Sequence, residues 1–200
     1  NSHLDIDRVE VISGDKTILS TGSSSGTLKV DPGDELEIQV RLKNTYSEST
    51  YNDISDVKVA TSIDDMGLSD SDTTSVNAGT HRTVTLRLDI PDDAKGSHSY
   101  YLEITADGMD KNHTVQSDRA TYELEVNREY SEININEFTI GDADCDSTAN
   151  MRIELENNGE QDEDVELEII ADGERLYSDD FTIQSISDDN TYTKNKHVPV

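Results

Sequence analysis

Three aspartates at alternate positions, Asp142, Asp144 and Asp146, are the residues whose spacing most suggests chemistry. Hard cations such as Ca²⁺ bind several carboxylate oxygens at once, so this segment is a candidate calcium site. It differs from a helix-flanked calcium loop, because Ser147 stands where that loop requires Gly and Ile153 where it requires a bidentate Glu. A calcium site and a solvated acidic loop therefore both remain open.

Other acidic residues and the histidines give weaker indications. Asp64, Asp65, Asp70 and Asp72 lie in residues 64–74, which we predict to be one long acidic loop with the same two interpretations. The five histidines, at positions 3, 81, 98, 113 and 197, show no spacing typical of zinc ligands, so no zinc site is expected.

One string typical of serine hydrolases is present, GSSSG at residues 22–26. That motif requires a strand–turn–helix elbow, and no helical pattern follows it, so we expect a flexible loop. The single cysteine, Cys145, is expected to be a small buried or loop residue rather than a nucleophile. With no P-loop or dinucleotide fingerprint, the sequence predicts a protein that is not an enzyme. Asn112, in the sequon Asn112-His113-Thr114, is a candidate glycosylation site.

The charge limits the possible partners. The 200 residues include 44 acidic and 16 basic side chains, for a formal net charge of −28. This charge repels phosphate backbones and anionic lipid, which excludes general nucleic-acid binding and argues against docking on a membrane surface. High salt or abundant divalent cations suit such a surface, and so does a solvated face with no special partner. No apolar run of 18 residues and no signal peptide are present, and we interpret the chain as part of a longer protein.

Alternating apolar and polar residues indicate strands along the whole chain. The clearest is 35–44, where Leu36, Ile38, Val40 and Leu42 share one face. Strands are predicted at 5–12, 27–30, 35–44, 54–63, 80–90, 97–106 and 119–127, and then at 132–140, 149–157, 164–171, 175–183 and around 197–200. Asp107-Gly108 is predicted to be a turn. Tyr100 lies where a tyrosine corner forms in immunoglobulin sandwiches, with core packing as its other possible role.

Two segments of the chain are similar to each other in sequence. LEIQVRLKN at 36–44 followed by DVKV at 56–59 resembles MRIELEN at 151–157 followed by DVEL at 164–167. Such similarity indicates tandem domains, so the predicted class is all-β, with tandem immunoglobulin-like β-sandwiches. The expected boundaries are 5–127 for the first domain, 128–131 for a linker and 132–200 for a second domain that lacks its C-terminal strands.

The order of short motifs resembles a known family. These motifs are Pro32-Gly33-Asp34, Asn44, Asp56-Val57, Asp64-Asp65, Ala78-Gly79, Ile90-Pro91, Tyr100, Cys145 and Asn157-Asn158-Gly159. Over most of residues 5–170 their order is similar to the immunoglobulin-like, CARDB-type or NEW3-type domains of archaeal cell-surface and S-layer-like proteins. The resemblance implies an extracellular structural or binding array and brings no catalytic residues with it.

Two functions follow as hypotheses. The first is a non-catalytic extracellular protein of the cell envelope, part of a surface layer, stalk or filament, which contacts other copies or neighbouring domains through strand edges. The alternative is an adhesin or carbohydrate-binding accessory module of a larger secreted protein. The absence of Trp and the 5% aromatic content weigh against the alternative, because sugars stack on flat rings.

Overall fold

The computed structural model describes residues 2–141, 148–171, 173–186 and 190–199. Segments with alternating apolar and polar residues form β-strands along almost all of this length. The chain divides into two units, residues 1–127 (unit 1) and 128–200 (unit 2). The described residues contain only two short 3₁₀ helices, and among them no helix is long and apolar enough to cross a membrane. The all-β prediction is confirmed.

Unit 1 is an immunoglobulin-like sandwich of two sheets. Its strands are β1 Leu4–Ser13, β2 Lys16–Thr21, β3 Thr27–Val30, β4 Glu35–Asn44, β5 Ile54–Ile63, β6 Leu68–Val76, β7 His81–Asp89, β8 Tyr100–Asp110 and β9 Val115–Val126. One sheet has the order β2-β1-β4-β7 and the other β3-β9-β8-β5-β6, with β3 parallel to β9. This is the immunoglobulin arrangement. Strands β1, β4 and β7 of one sheet face β5, β8 and β9 of the other.

The core of unit 1 lies between these sheets. The inward residues of β4, namely Leu36, Ile38, Val40 and Leu42, are fully buried against those of β8 and β9. Each such side chain contributes about 1.5–3 kcal/mol by leaving water. Tyr100 is buried, and its hydroxyl oxygen accepts a hydrogen bond from the Lys95 backbone N–H at 3.2 Å, so it forms the tyrosine corner as well as packing in the core.

Two local predictions for unit 1 were wrong. Residues 64–74 are not one loop, because a 3₁₀ turn at Asp64–Met66 leads into the edge strand β6, which pairs with β5 from Ile63↔Leu68 onward. Asp107-Gly108 is not a turn, because β8 continues to Asp110. A bulge in β5 places the Val57 side chain close to position 108. A Cβ atom added at Gly108 would lie 2.7 Å from that side chain. Glycine is therefore needed at 108 for close approach of two strands.

The described residues of unit 2 form five strands in two smaller sheets. They are β10 Ile133–Ile140, β11 Thr148–Asn157, β12 Glu163–Ala171, β13 Glu174–Ile183 and β14 Thr191–Pro199. The orders are β10-β11-β14 and β12-β13, and the buried core is small: Met151, Ile153, Leu155 and Ile183. The last strand begins earlier than the predicted 197–200, since polar residues from Thr191 onward already pair with β11.

Candidate functional site

A buried asparagine at the end of β4 ties three segments of unit 1 together. The Asn44 side chain is fully buried, and its Nδ2 donates to the backbone carbonyls of Asn52 at 3.1 Å and Val76 at 3.0 Å. Its Oδ1 accepts from the Tyr46 N–H at 3.0 Å. Asn44 thus connects the end of β4 to the segment before β5 and to the end of β6.

Asn157 does the same in unit 2. It is also fully buried, and its Nδ2 donates to the carbonyls of Gln161 at 2.7 Å and Ile183 at 3.2 Å, while its Oδ1 accepts from Gly159 N–H at 2.9 Å. Gln161 precedes β12 and Ile183 ends β13. Strands β11, β12 and β13 therefore correspond to β4, β5 and β6, which gives a residue-by-residue alignment of the two units.

The first strands align in the same way. In unit 1, Leu4, Ile6, Val9 and Val11 lie opposite Asn44, Leu42, Val40 and Ile38, with a bulge between Ile6 and Arg8. In unit 2, Ile133, Ile135, Phe138 and Ile140 lie opposite Asn157, Leu155, Ile153 and Met151, with a bulge between Ile135 and Glu137. Strand β10 is the counterpart of β1, and its apolar side chains face the inside of unit 2.

Those inward side chains are uncovered. Val9 and Val11 are 0% exposed, whereas Ile135 is 67%, Phe138 52% and Ile140 56% exposed. In unit 1 strand β9 lies against β1, and Asp118 Oδ2 accepts the Ile6 N–H at 2.7 Å. The described part of unit 2 contains no counterpart of β8 or β9, so the apolar side of β10 faces solvent.

One edge of β12 is unpaired for the same reason. Strand β5 pairs with β6 on one edge and with β8 on the other, whereas β12 pairs with β13 and with no other described strand. Its inward residues Val165, Leu167 and Ile169 are only half-buried. We call the exposed residues of β10 together with this free edge of β12 the open side of unit 2.

The outward face of β12 is strongly acidic. Glu166 and Glu168 are exposed, and Glu166 lies directly opposite Asp180 on β13, a like-charge pair that destabilises the hairpin. Glu168 pairs with Arg175 at 3.0 Å. Residues 128–200 hold 20 acidic and 5 basic side chains, a formal net charge of −15. A cationic group beside Glu166 would therefore be stabilising.

A polar cluster joins β13 to β14, which belong to different sheets of unit 2. Asp179 accepts hydrogen bonds from Tyr177 Oη at 2.6 Å, Lys194 Nζ at 2.7 Å and Tyr192 Oη at 3.0 Å. The bond from Lys194, followed by those from the two tyrosines, lowers the pKa of Asp179 to about 2, and the bond to Asp179 raises the pKa of Lys194. Lys194 lies opposite Ile153, as Val84 lies opposite Val40. Lys194 thus holds the position in unit 2 that the buried Val84 holds in unit 1. Its side chain is partly exposed, so the charged amino group can reach water.

The predicted metal and modification residues have mixed placements. Asp142, Asp144 and Asp146, with Cys145, lie outside the described residues. Asn112 is exposed in the β8–β9 turn, where its N–H donates to Asp110 Oδ1 at 2.9 Å, so the sequon is accessible. The GSSSG string links β2 to strand β3 rather than to a helix.

The second acidic group is dispersed. Asp65 lies 3.6 Å from His98, Asp70 Oδ2 accepts the Arg87 N–H at 2.9 Å, and Asp72 Oδ1 accepts the neighbouring Thr73 N–H. Across the described ranges no three His, Cys, Asp or Glu side chains are placed to hold a metal ion.

Comparisons with known proteins found remote structural similarity. No protein-family model matches the chain, and no curated protein matches its sequence. The crystal structure of the sporulation control protein Spo0M from Bacillus subtilis is similar over 91% of both chains, with 11% identity and a TM-score of 0.32. The chaperone–tip adhesion subunit pre-assembly complex CsuC–CsuE from Acinetobacter baumannii is similar over 86% of this chain and 84% of that chain, with 9% identity and a TM-score of 0.30. At these TM-scores neither likeness supports a conclusion about function.

Proposed function

We propose that this protein is a non-catalytic structural component of the cell envelope, in which tandem immunoglobulin-like units form part of a surface layer, stalk or filament. The single observation that carries the proposal is the open side of unit 2. The edge of β12 that no described strand pairs, together with exposed Ile135, Phe138 and Ile140 on β10, is a template for pairing with another β segment. A β segment that covers this surface stabilises unit 2.

The charge supports an extracellular location rich in salt or divalent cations. At a net charge of −28, neighbouring units repel each other in dilute buffer. Ions at physiological or higher concentration screen the repulsion between charges that are more than about 8 Å apart. The resemblance to archaeal surface domains points in the same direction. Neighbouring domains of the assembly are then the partners, and the contact is made through strand edges.

Surface labelling of intact cells tests this proposal. An antibody against unit 1 should label unbroken cells of the source organism, and mild extraction should release the protein together with envelope components. The double variant Phe138→Ser/Ile140→Ser should still reach the surface but should be released more easily. Met109→Ser, which changes an exposed apolar residue of unit 1, is the matched control. Labelling that requires cell lysis would contradict the proposed function.

A further inference from the structure

We propose that Asp70 and Asp118 protect unit 1 from edge-to-edge pairing with a second copy of this chain. Each carboxylate accepts two backbone N–H groups at a strand edge that no other strand covers, one from its own strand and one from a strand of the facing sheet. The inference goes beyond the proposed function, because it concerns the strand edges of unit 1, whereas the proposed function rests on unit 2.

Asp70 bridges the edge strands β6 and β7. Among the described strands, β6 pairs only with β5 and β7 only with β4. Every second N–H of an edge strand points away from its sheet and can bond to another strand. Asp70 Oδ1 accepts the Ser71 N–H of β6 at 2.8 Å, and Asp70 Oδ2 accepts the Arg87 N–H of β7 at 2.9 Å. One carboxylate therefore satisfies an N–H on each of the two edges.

Asp118 makes the same pair of bonds on the opposite side of the sandwich. In residues 2–127, β2 covers β1 only from Val9 onward, and β3 with the loop before it covers β9 only from Thr121 onward. Asp118 joins the uncovered parts of β1 and β9. Its Oδ1 accepts the Arg119 N–H at 2.9 Å, and its Oδ2 accepts the Ile6 N–H at 2.7 Å. The same geometry thus occurs twice, once on each side.

The position of each aspartate in its strand supports a protective role. Asp70 lies opposite the buried Thr61, on the inward side of β6, and Asp118 lies two residues before the buried Ala120, on the inward side of β9. Both aspartates are half-buried. A strand that paired with β6 would take the Ser71 N–H from Asp70 and leave a half-buried carboxylate with one partner fewer. Pairing at this edge is therefore disfavoured.

Amide hydrogen exchange of the 200-residue chain tests the bonds. The Arg87 amide is the clearest reporter, because Arg87 is distant from Asp70 in sequence. Asp70→Thr should lower the protection factor of this amide by about tenfold or more, since a hydrogen bond to a charged group is lost while threonine suits a strand. Asp118→Thr should do the same at Ile6 and leave Arg87 unchanged. Asp107→Thr, which changes an exposed aspartate on a strand paired on both edges, is the matched control.

Sedimentation velocity over a range of protein concentrations tests the protective role. Asp70→Thr should self-associate about tenfold more tightly than Asp107→Thr, although both variants lose the same charge. The added association should disappear in Asp70→Thr/Ser71→Pro, because proline removes the N–H that the second copy would bond and is tolerated at a sheet edge. Circular dichroism of each variant checks that the strands are retained.

Two results would overturn the inference. Unchanged protection of the Arg87 amide in Asp70→Thr would show that the carboxylate does not hold the edge of β7. Equal self-association of Asp70→Thr and Asp107→Thr would show that the bonds of Asp70 do not prevent pairing. Neither result affects surface labelling of intact cells, so failure of the proposed function and failure of this inference are distinguishable.

Discussion

Replacing the buried asparagine of unit 1 should destabilise that unit far more than replacing an exposed one. The Asn44 side chain makes three hydrogen bonds of 3.0–3.1 Å, two as donor to carbonyls and one as acceptor from Tyr46 N–H. Each buried hydrogen bond contributes about 1 kcal/mol net, and its loss leaves a buried partner unsatisfied. Asn44→Ala should therefore lower the free energy of unfolding by about 3 kcal/mol. For a unit of this size that corresponds to a fall of about 10 °C in melting temperature.

Scanning calorimetry measures this effect, with urea unfolding as an independent check. Asn157→Ala should produce a comparable fall in the transition of unit 2, because Asn157 makes the same three types of bond. Asn44→Asp should be worse than Asn44→Ala, since it places a carboxylate against two carbonyl oxygens. The exposed Asn112→Ala is the control. A shift for Asn44→Ala no larger than that of Asn112→Ala would refute the assignment of Asn44 as the link between β4, β5 and β6.

Three further predictions concern unit 2. The pKa of Asp179, about 2, lies below the usual value, so its stabilising effect is complete above about pH 4 and is lost as the pH falls towards 2. Asp179→Asn should flatten the melting temperature of unit 2 between pH 6 and pH 2, and an unchanged acid dependence would contradict this. Gly159→Ala should destabilise unit 2 by about 1–3 kcal/mol in urea unfolding, because its Cβ would lie 2.8 Å from Glu132 N, whereas Gly141→Ala, whose nearest contact would be the Asn150 carbonyl oxygen at 3.5 Å, should cost less. If Ca²⁺ binds at 142–146, millimolar Ca²⁺ should raise the melting temperature and Asp144→Asn should abolish the rise; no response to Ca²⁺ would dispose of the calcium interpretation.

Much of the fold was predictable because alternation reports directly which side of a strand is buried. Strands such as β4 and β11 follow that pattern along their whole length. Strand β6 was missed, since its sequence LSDSDTTSV has few apolar residues and forms by pairing at a sheet edge. Gly108 was misread because a glycine required by the neighbouring bulge has the same local signature as a turn.

The candidate site was only partly predictable. The shortage of strands in the second unit predicted incomplete cover. Strict alternation along residues 132–140 would place Ile135 and Phe138 on opposite faces, and the bulge between Ile135 and Glu137 brings both to the inward face. Their exposure depends on which strands lie across them, and that is a tertiary property that no local pattern reports.

Amide hydrogen exchange of the isolated chain tests the central claim most directly. The account predicts that β5 (Ile54–Ile63), paired on both edges, is protected along its length, whereas β12 (Glu163–Ala171) is protected only at the amides that face β13. Fast exchange at alternate residues of β12 is therefore the expected result. Uniform protection of β12 equal to that of β5 would show that its second edge is already occupied and would contradict an open side in unit 2.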